Sequence, residues 1–235
     1  MASVGSPPES ASAFSAPVVS SPPPANWTVA DIVASLGGIP LDRIRVVPPF
    51  GTATEKDVLE VERQTGCPCE LIDGTLVEKT VGYIESFLAA RINYLIQVFL
   101  ETHDLGIVLG EAGTLKILPQ QVRVPDVCFI AWNRFSNRDL PPEPIPDLAP
   151  DLAIEVLSVS NTPGEMQRKL HDYFTAGVRL VWYIDPRARQ AKSYTAEDRY
   201  VELTESQSLS GGDVLPGFEL PLKELFAKVR TRPEQ

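Results

Sequence analysis

The stretch VRVPDVCFIAW, residues 122–132, has the apolar content of a buried strand, yet a proline and an ionisable aspartate stand side by side in its middle. Pro125 has no amide hydrogen to give a neighbouring strand, so it belongs at a sheet edge or at an interruption. Side chains alternate along a strand, which puts Asp126 on one face with Val124, Cys128 and Ile130. A charged carboxylate on such a face costs on the order of several kcal/mol unless it is neutralised, paired or bound to a cation. Downstream, DLAIEVLS (151–158) is apolar on both faces except for Glu155, the pattern of a central strand covered on each side. Two such acids on adjacent strands repel each other, and a shared divalent ion is a natural remedy. Mg2+ suits oxygen ligands and keeps several waters, and one such water can become a nucleophile.

Working outward, residues 81–102 read as a long apolar helix whose inner stripe holds Leu88, Ile92, Leu95 and Phe99. Glu85 falls within that stripe rather than on the wet face. Glu111 lies in the next segment, on a face the pattern does not decide. On the other side, GEMQRKLHDYFTAG (164–177) reads as a helix closed by Gly177, with Met166, Leu170, Tyr173 and Phe174 inward. Lys169 sits at the border of that stripe, where it can reach the strand ends and offset negative charge, while Arg168 points away. Each residue also has a plain reading. Asp126 can end a strand, Glu155 can pair with Arg123 or Arg179, Glu85 can be structural, and Lys169 can lie along the surface. The joint pattern, two acids on consecutive strands followed by a lysine on the next helix, favours a site.

The rest of the chain sets the frame. Residues 1–27 hold six of the 22 prolines and read as a disordered tail. Residues 28–67 form a small helical extension, with Thr28 capping one helix and Gly66 ending a second. Residues 68–228 form the main domain. It opens with a hairpin about Asp73-Gly74, and three strands follow over GIVLGEAGTLKIL (106–118), VRVPDVCFIAW and DLAIEVLS. Beyond the second long helix come RLVWYID, a strand around AKSYT, and a final helix from about Pro221. The whole is an α/β fold, a mixed central sheet flanked by helices.

Composition narrows the function classes. A net charge of −10 and a pI near 4.8 weigh against a general nucleic-acid coat, although a metal-loaded cleft can still meet phosphate. Three cysteines, Cys67, Cys69 and Cys128, fit reduced thiols and a cytoplasmic setting, and with His103 and His171 they are too irregular for structural zinc. No apolar run is long enough to span a bilayer. GxxxxGK[ST], GxGxxG and GxSxG are all absent, which removes support for ATP hydrolysis, dinucleotide chemistry and esterase action.

The blocks CELIDGTLVEK, VRVPDVCFIAW, PDLAPDLAIEVLS, SNTPGEMQRKLHDYFTAGVRLVWYIDP and GGDVLPGFELPL resemble the PD-(D/E)XK nuclease superfamily, and within it the Uma-type family of restriction endonucleases. The resemblance spans roughly residues 68–226. It implies a restriction-endonuclease-like fold and Mg2+-dependent hydrolysis of nucleic-acid phosphodiesters, DNA first, with Mn2+ as a substitute ion. Carried over, Asp126 is the acid of the PD element and Glu155 that of the (D/E)XK element, the two metal ligands. Leu157 stands where that element has lysine, and Lys169 matches a lysine on the following helix that substitutes for it. Glu85 resembles the superfamily's first-helix acid. The alternative is a catalytically inactive module of the same fold that binds nucleic acid or a protein partner. The apolar helix at 81–102 also offers a surface for a homodimer.

Overall fold

The computed structural model describes residues 23–80 and 82–229. The tail expected over residues 1–27 lies outside these up to residue 22. Helix α1 (Val29–Ser35) starts as its sequence predicts. The Thr28 hydroxyl accepts from the Asp31 amide and the Asp31 carboxylate accepts from the Thr28 amide, a reciprocal cap. Thr54 and Asp57 repeat the device at α2 (Glu55–Thr65), which stops at Gly66 with φ 70°. The hairpin β1 (Cys69–Ile72) and β2 (Thr75–Glu78) turns through Asp73 and Gly74, both at positive φ, the backbone that suits a two-residue loop between twisted strands. Helix α3 (Tyr83–Thr102) follows.

The next two segments depart from the expectation of one strand each. The first splits into β3 (Gly106–Leu109) and β4 (Leu115–Leu118) across Gly110 and Gly113, and the second into β5 (Gln121–Arg123) and β6 (Val127–Ala131) across Pro125. The halves serve different sheets. A four-stranded sheet runs β2-β1-β5-β4, and a six-stranded one runs β10-β9-β8-β7-β6-β3, where β7 is Leu152–Val156, β8 Leu180–Asp185, β9 Gln190–Ala196 and β10 Arg199–Thr204. Pro125, which cannot donate to a ladder, stands where the chain leaves the small sheet for the large one.

The large sheet is mixed. β7 and β8 are parallel, joined through α4 (Pro163–Thr175), and its other pairs are antiparallel. One face packs Val127, Phe129, Ile154 and Trp182 against α3 and against α5 (Leu222–Phe226). The other packs Cys128, Ile130, Ala153 and Val181 against Met166, Leu170 and Tyr173 of α4. This is the mixed sheet flanked by helices that the sequence predicts. Strand β10 and the small pair β11 (Ser208–Ser210) and β12 (Glu219–Pro221) were not foreseen, because short half-exposed runs there carry little periodic signal.

The expected helical extension is built onto the small sheet. Val58 and Val61 of α2 pack on Leu71, Leu76 and Val122, and Ile32 of α1 packs with Ile72 and Val77. The loop after α1 also fixes the start of α4. Gly37, at φ 84°, has its backbone against Gly164, and a Cβ at Gly37 would fall 2.4 Å from the Gly164 carbonyl carbon. The Thr162 hydroxyl donates to the Gly37 carbonyl at 2.7 Å. No described helix is long and apolar enough to cross a membrane.

Candidate active site

Where the ladder stops at Val124, side chains take over its backbone groups. The Val124 amide donates to Glu70 Oε1 at 3.2 Å, and its carbonyl accepts from Lys79 Nζ at 2.6 Å. Glu70 stands on β1, and Lys79 just beyond β2. Asp126 is the next side chain after the proline. Its Oδ2 accepts from the Val156 amide at 2.6 Å, and its Oδ1 lies 2.8 Å from Lys79 Nζ. The β6–β7 register pairs Val127 with Ile154, so one step further sets Asp126 across from Glu155. Glu155 reaches α4, and both carboxylates are buried.

Glu155 is held from α4. Its Oε2 accepts from Lys169 Nζ at 3.0 Å and its Oε1 from the Tyr173 hydroxyl at 2.5 Å. Lys169 also lies 3.2 Å from Glu70 Oε1, and Arg123 joins Glu70 (2.8 Å) to Asp172. Acids and cations thus alternate through the interior as Asp172, Arg123, Glu70, Lys169 and Glu155, with the Asp126–Lys79 pair alongside. Tyr173 and Arg123 are almost wholly buried in this row.

The two carboxylates that share Lys169 behave differently. Burial alone would raise Glu70, but Lys169, Arg123 and Lys79 outweigh it and hold its carboxyl down at about 2. Burial raises Glu155 as well, and there it wins. Lys169 and Lys79 offset it only in part, while the neighbouring charges of Asp126 and Glu70 push the same way as burial. Lys169 stays firmly protonated, since Glu155 and Glu70 overcome the effect of its burial. Glu155, unlike Glu70, therefore holds its proton more readily than an ordinary carboxyl.

Asp126 also reaches solvent. It lines a cleft of about 520 Å3 with Ser86, Asn93 and Tyr94 of α3 and with Val108 to Glu111 at the end of β3. Glu111 Oε2 is buried beside this cleft without a hydrogen-bond partner among the described residues. The donor set suits Mg2+ in kind: hard carboxylate oxygens on facing strands and an opening at Asp126. No three described His, Cys, Asp or Glu residues form a ready cation cage, because the oxygens of Asp126 and Glu155 are engaged by Lys79, Val156, Tyr173 and Lys169.

Of the residues singled out from sequence, Asp126, Glu155 and Lys169 come together. Glu85 does not touch them. It lies half-buried in the first turn of α3 with its carboxylate folded back over Gly82, where a Cβ would fall 2.0 Å from Glu85 Oε2. Leu157 packs against the α4 side of the core. Two expectations are corrected. Arg168 does not point away: it is buried, donating to the Ser35 carbonyl at 2.6 Å and to Asp73 at 2.5 Å, because the loop after α1 and the β-hairpin cover that side of α4. The arginines offered as partners of Glu155 are engaged elsewhere, Arg123 with Glu70 and Asp172, and Arg179 with Asp151. His171 is near the surface and pairs with Glu197 at 3.0 Å.

Glu70, Lys79 and Tyr173 were not assigned to the site from sequence. Glu70 carried a usable signal, since it interrupts the apolar run CELI as Glu155 interrupts LAIEV. Lys79 carried none, for a lysine at a strand end is ordinarily solvated.

The comparisons with known proteins bear on the fold and the family. A crystal structure from Anabaena variabilis, described as that of a "putative nuclease", superposes with a TM-score of 0.62 at 19% identity, covering 69% of this chain and 92% of that one. At that identity the likeness shows the fold. No curated protein matches the chain. The family described as "Uma2: Putative restriction endonuclease" matches residues 56–223, from α2 to α5, including Glu70, Asp126, Glu155 and Lys169. The chain belongs to the Uma2 family of restriction-endonuclease-like proteins.

Proposed function

We propose that the chain is a Mg2+-dependent endonuclease that hydrolyses phosphodiester bonds of nucleic acid, with DNA as the first substrate to test and the cytoplasm as its setting. The observation that carries this reading is the placement of Asp126 across from Glu155, with Lys169 at 3.0 Å from the latter. Asp126 and Glu155 would hold the ion, and Mn2+ would serve in its place. When bound, the ion supplies a water of lowered pKa and positive charge beside the scissile phosphate.

The chain's own groups do the rest. Lys169, fixed by Glu70, provides the cation that Leu157 cannot, and it orients the attacking water and offsets charge developing on phosphate. Tyr173 holds Glu155 in one rotamer through its hydroxyl. Glu85 would take part through water from the first turn of α3. The cleft between α3 and the end of β3 gives phosphate a path to Asp126.

A second reading also has an observation behind it. Lys79 already pairs with Asp126 and Lys169 with Glu155, so the buried acids do not depend on a metal for compensation. That arrangement suits a module of the same fold that binds nucleic acid or a protein without cutting. A cleavage panel of DNA and RNA forms with and without Mg2+, run beside Asp126→Ala and Lys169→Ala, separates the two. Metal-dependent cleavage lost in both variants supports the enzyme, and no cleavage in any arm supports the binding module.

A further inference from the structure

A second cavity, of about 510 Å3, runs along the flank of α4 that carries Pro163, Met166 and Leu170 rather than Lys169. It opens beyond the carboxyl ends of β7 and β8, past Leu157 and Asp185. These two strands are the parallel pair of the large sheet, and the crevice outside such strand ends is where open α/β sheets take ligands. The volume lies within the ~300–1,000 Å3 usual for small-molecule sites. None of the residues lining the Asp126 cleft lines this one.

Its floor is apolar and aromatic. The Tyr183 and Tyr194 rings meet edge to face there, centroids 5.2 Å apart, beside Met166 and Leu170. One polar group in this floor has no partner. Tyr194 is 8% exposed, yet its hydroxyl makes no hydrogen bond among the described residues, whereas the buried hydroxyl of Tyr183 donates to the Met166 carbonyl at 2.7 Å. A buried tyrosine hydroxyl ordinarily finds a partner. Burial, with Tyr200 and Glu202 nearby, pushes the Tyr194 hydroxyl up to about 12, so it keeps its proton and stays a donor. Toward solvent the lining is charged. Arg187 and Lys192 have no carboxylate within ion-pair distance among the described residues, although Arg189 in the same turn is taken by Glu205. Of the two acids, Asp185 is used by that turn, its Oδ1 accepting from the Arg187 and Ala188 amides. Glu202, opposite Lys192 in the β9–β10 ladder, has no base within ion-pair distance among the described residues.

An aromatic floor with an unused donor, an unpaired carboxylate and two unpaired cations match the parts of a nucleotide. We propose that this cavity holds a single nucleotide, with its base on Tyr183 and Tyr194 and its phosphate on Arg187 and Lys192. Glu202 accepts from N–H groups of the base. That favours guanine, which offers two adjacent donors, over thymine, whose one N–H stands between two carbonyls. A walled seat admits a base only out of a duplex stack, so the ligand is a free nucleotide or an unpaired nucleotide of a strand. The second source rests on the reading of the Asp126 site as a nuclease, and Leu157 at the cavity is two residues, or about 7 Å, along the chain from Glu155.

Calorimetric titration of the full chain in EDTA tests this without metal or cleavage, so its outcome is separate from that of the Asp126 site. The probes are dGMP, dTMP, inorganic phosphate and a single-stranded pentanucleotide with one guanine among thymines. The parent is expected to bind dGMP about tenfold or more tighter than dTMP or phosphate. Tyr194→Phe is expected to weaken dGMP about fivefold, the size of one lost hydrogen bond, and Arg187→Met with Lys192→Met to weaken it more, both with unchanged far-ultraviolet spectra. Tighter binding of the pentanucleotide than of dGMP, lost in the same variants, supports the proposal with a strand as the source, and the reverse order supports it with the free nucleotide. Absence of binding by both dGMP and the pentanucleotide overturns the proposal. So does phosphate or dTMP that binds as tightly as dGMP, or binding that the folded variants leave unchanged.

Discussion

Lys169 Nζ donates to Glu155 Oε2 at 3.0 Å and lies 3.2 Å from Glu70 Oε1, so one ammonium on α4 ties the central strand β7 to the first strand of the small sheet. All three groups are buried. Removing the ammonium leaves two carboxylates facing each other without water. Lys169→Met is therefore expected to lower stability by about 3 kcal/mol or more, the usual size for breaking a buried pair from one side. Adding Glu155→Leu to it should recover part of that loss. Urea denaturation of the two single variants and the double one checks this. Additive losses would mean that the two side chains do not act as a pair.

Lys79 occupies the place beside Asp126 that an external cation would share, with Nζ 2.8 Å from Oδ1 and the side chain 6% exposed. In Lys79→Met that positive charge is gone while both carboxylates remain. The variant is expected to bind Mn2+ about tenfold tighter than the parent, or ~1.4 kcal/mol. Calorimetric titration measures it. Equal or weaker binding would show that Lys79 and the ion do not compete.

The acid limb of stability should run through Glu70. Its carboxyl, held at about 2 against an ordinary 4.5, favours the fold while ionised. A depressed folded value contributes stability that is fully present above about 4.5 and is lost as pH falls toward about 2. Glu70→Gln is expected to be less stable than the parent at pH 7, with the gap closing across that window. Denaturation midpoints measured from pH 7 down to 2 check it, and a gap that stays constant would remove Glu70 from this role.

The fold was legible where local chemistry and burial agree. The Thr28 and Thr54 caps, the Asp73-Gly74 turn and the apolar run around Glu155 each point to one backbone state. Two strand boundaries were not legible. GIVLGEAGTLKIL and VRVPDVCFIAW have strand composition on both sides of a break, and only the tertiary structure assigns the halves to different sheets. Pro125 marked the second break, but not that it is a crossing between sheets. At the candidate site, Asp126 and Glu155 were readable as acids out of place on apolar faces, and Lys169 as a cation at the border of an apolar stripe. Lys79 was not readable, because its burial comes from a contact 45 residues away in sequence, with Val124. The inward turn of Arg168 was hidden for the same reason, since it depends on the loop after α1 lying over α4.

Glu85 and Asp126 should separate by degree. Glu85 sits over Gly82 without direct contact with the carboxylate row, so a role through water is the one open to it. Glu85→Gln is expected to lower Mg2+-dependent cleavage about tenfold, a smaller effect than the roughly hundredfold or greater loss typical of a removed charge-stabilising group. Single-turnover rates on one DNA substrate compare the two. A loss as large as that of Asp126→Asn would require Glu85 to reach the ion directly.

The central claim is that Asp126 and Glu155 form a metal-dependent hydrolytic site, and the most direct measurement is Mg2+-dependent DNA cleavage by the parent beside Asp126→Asn. The substitution keeps the shape of the side chain and its carbonyl acceptor for the Val156 amide, and circular dichroism confirms the fold. The account predicts cleavage by the parent only with Mg2+ or Mn2+, and a loss of about a hundredfold or more in the folded variant. Cleavage by Asp126→Asn at the parent's rate, or cleavage by the parent that persists in a chelator, would contradict it.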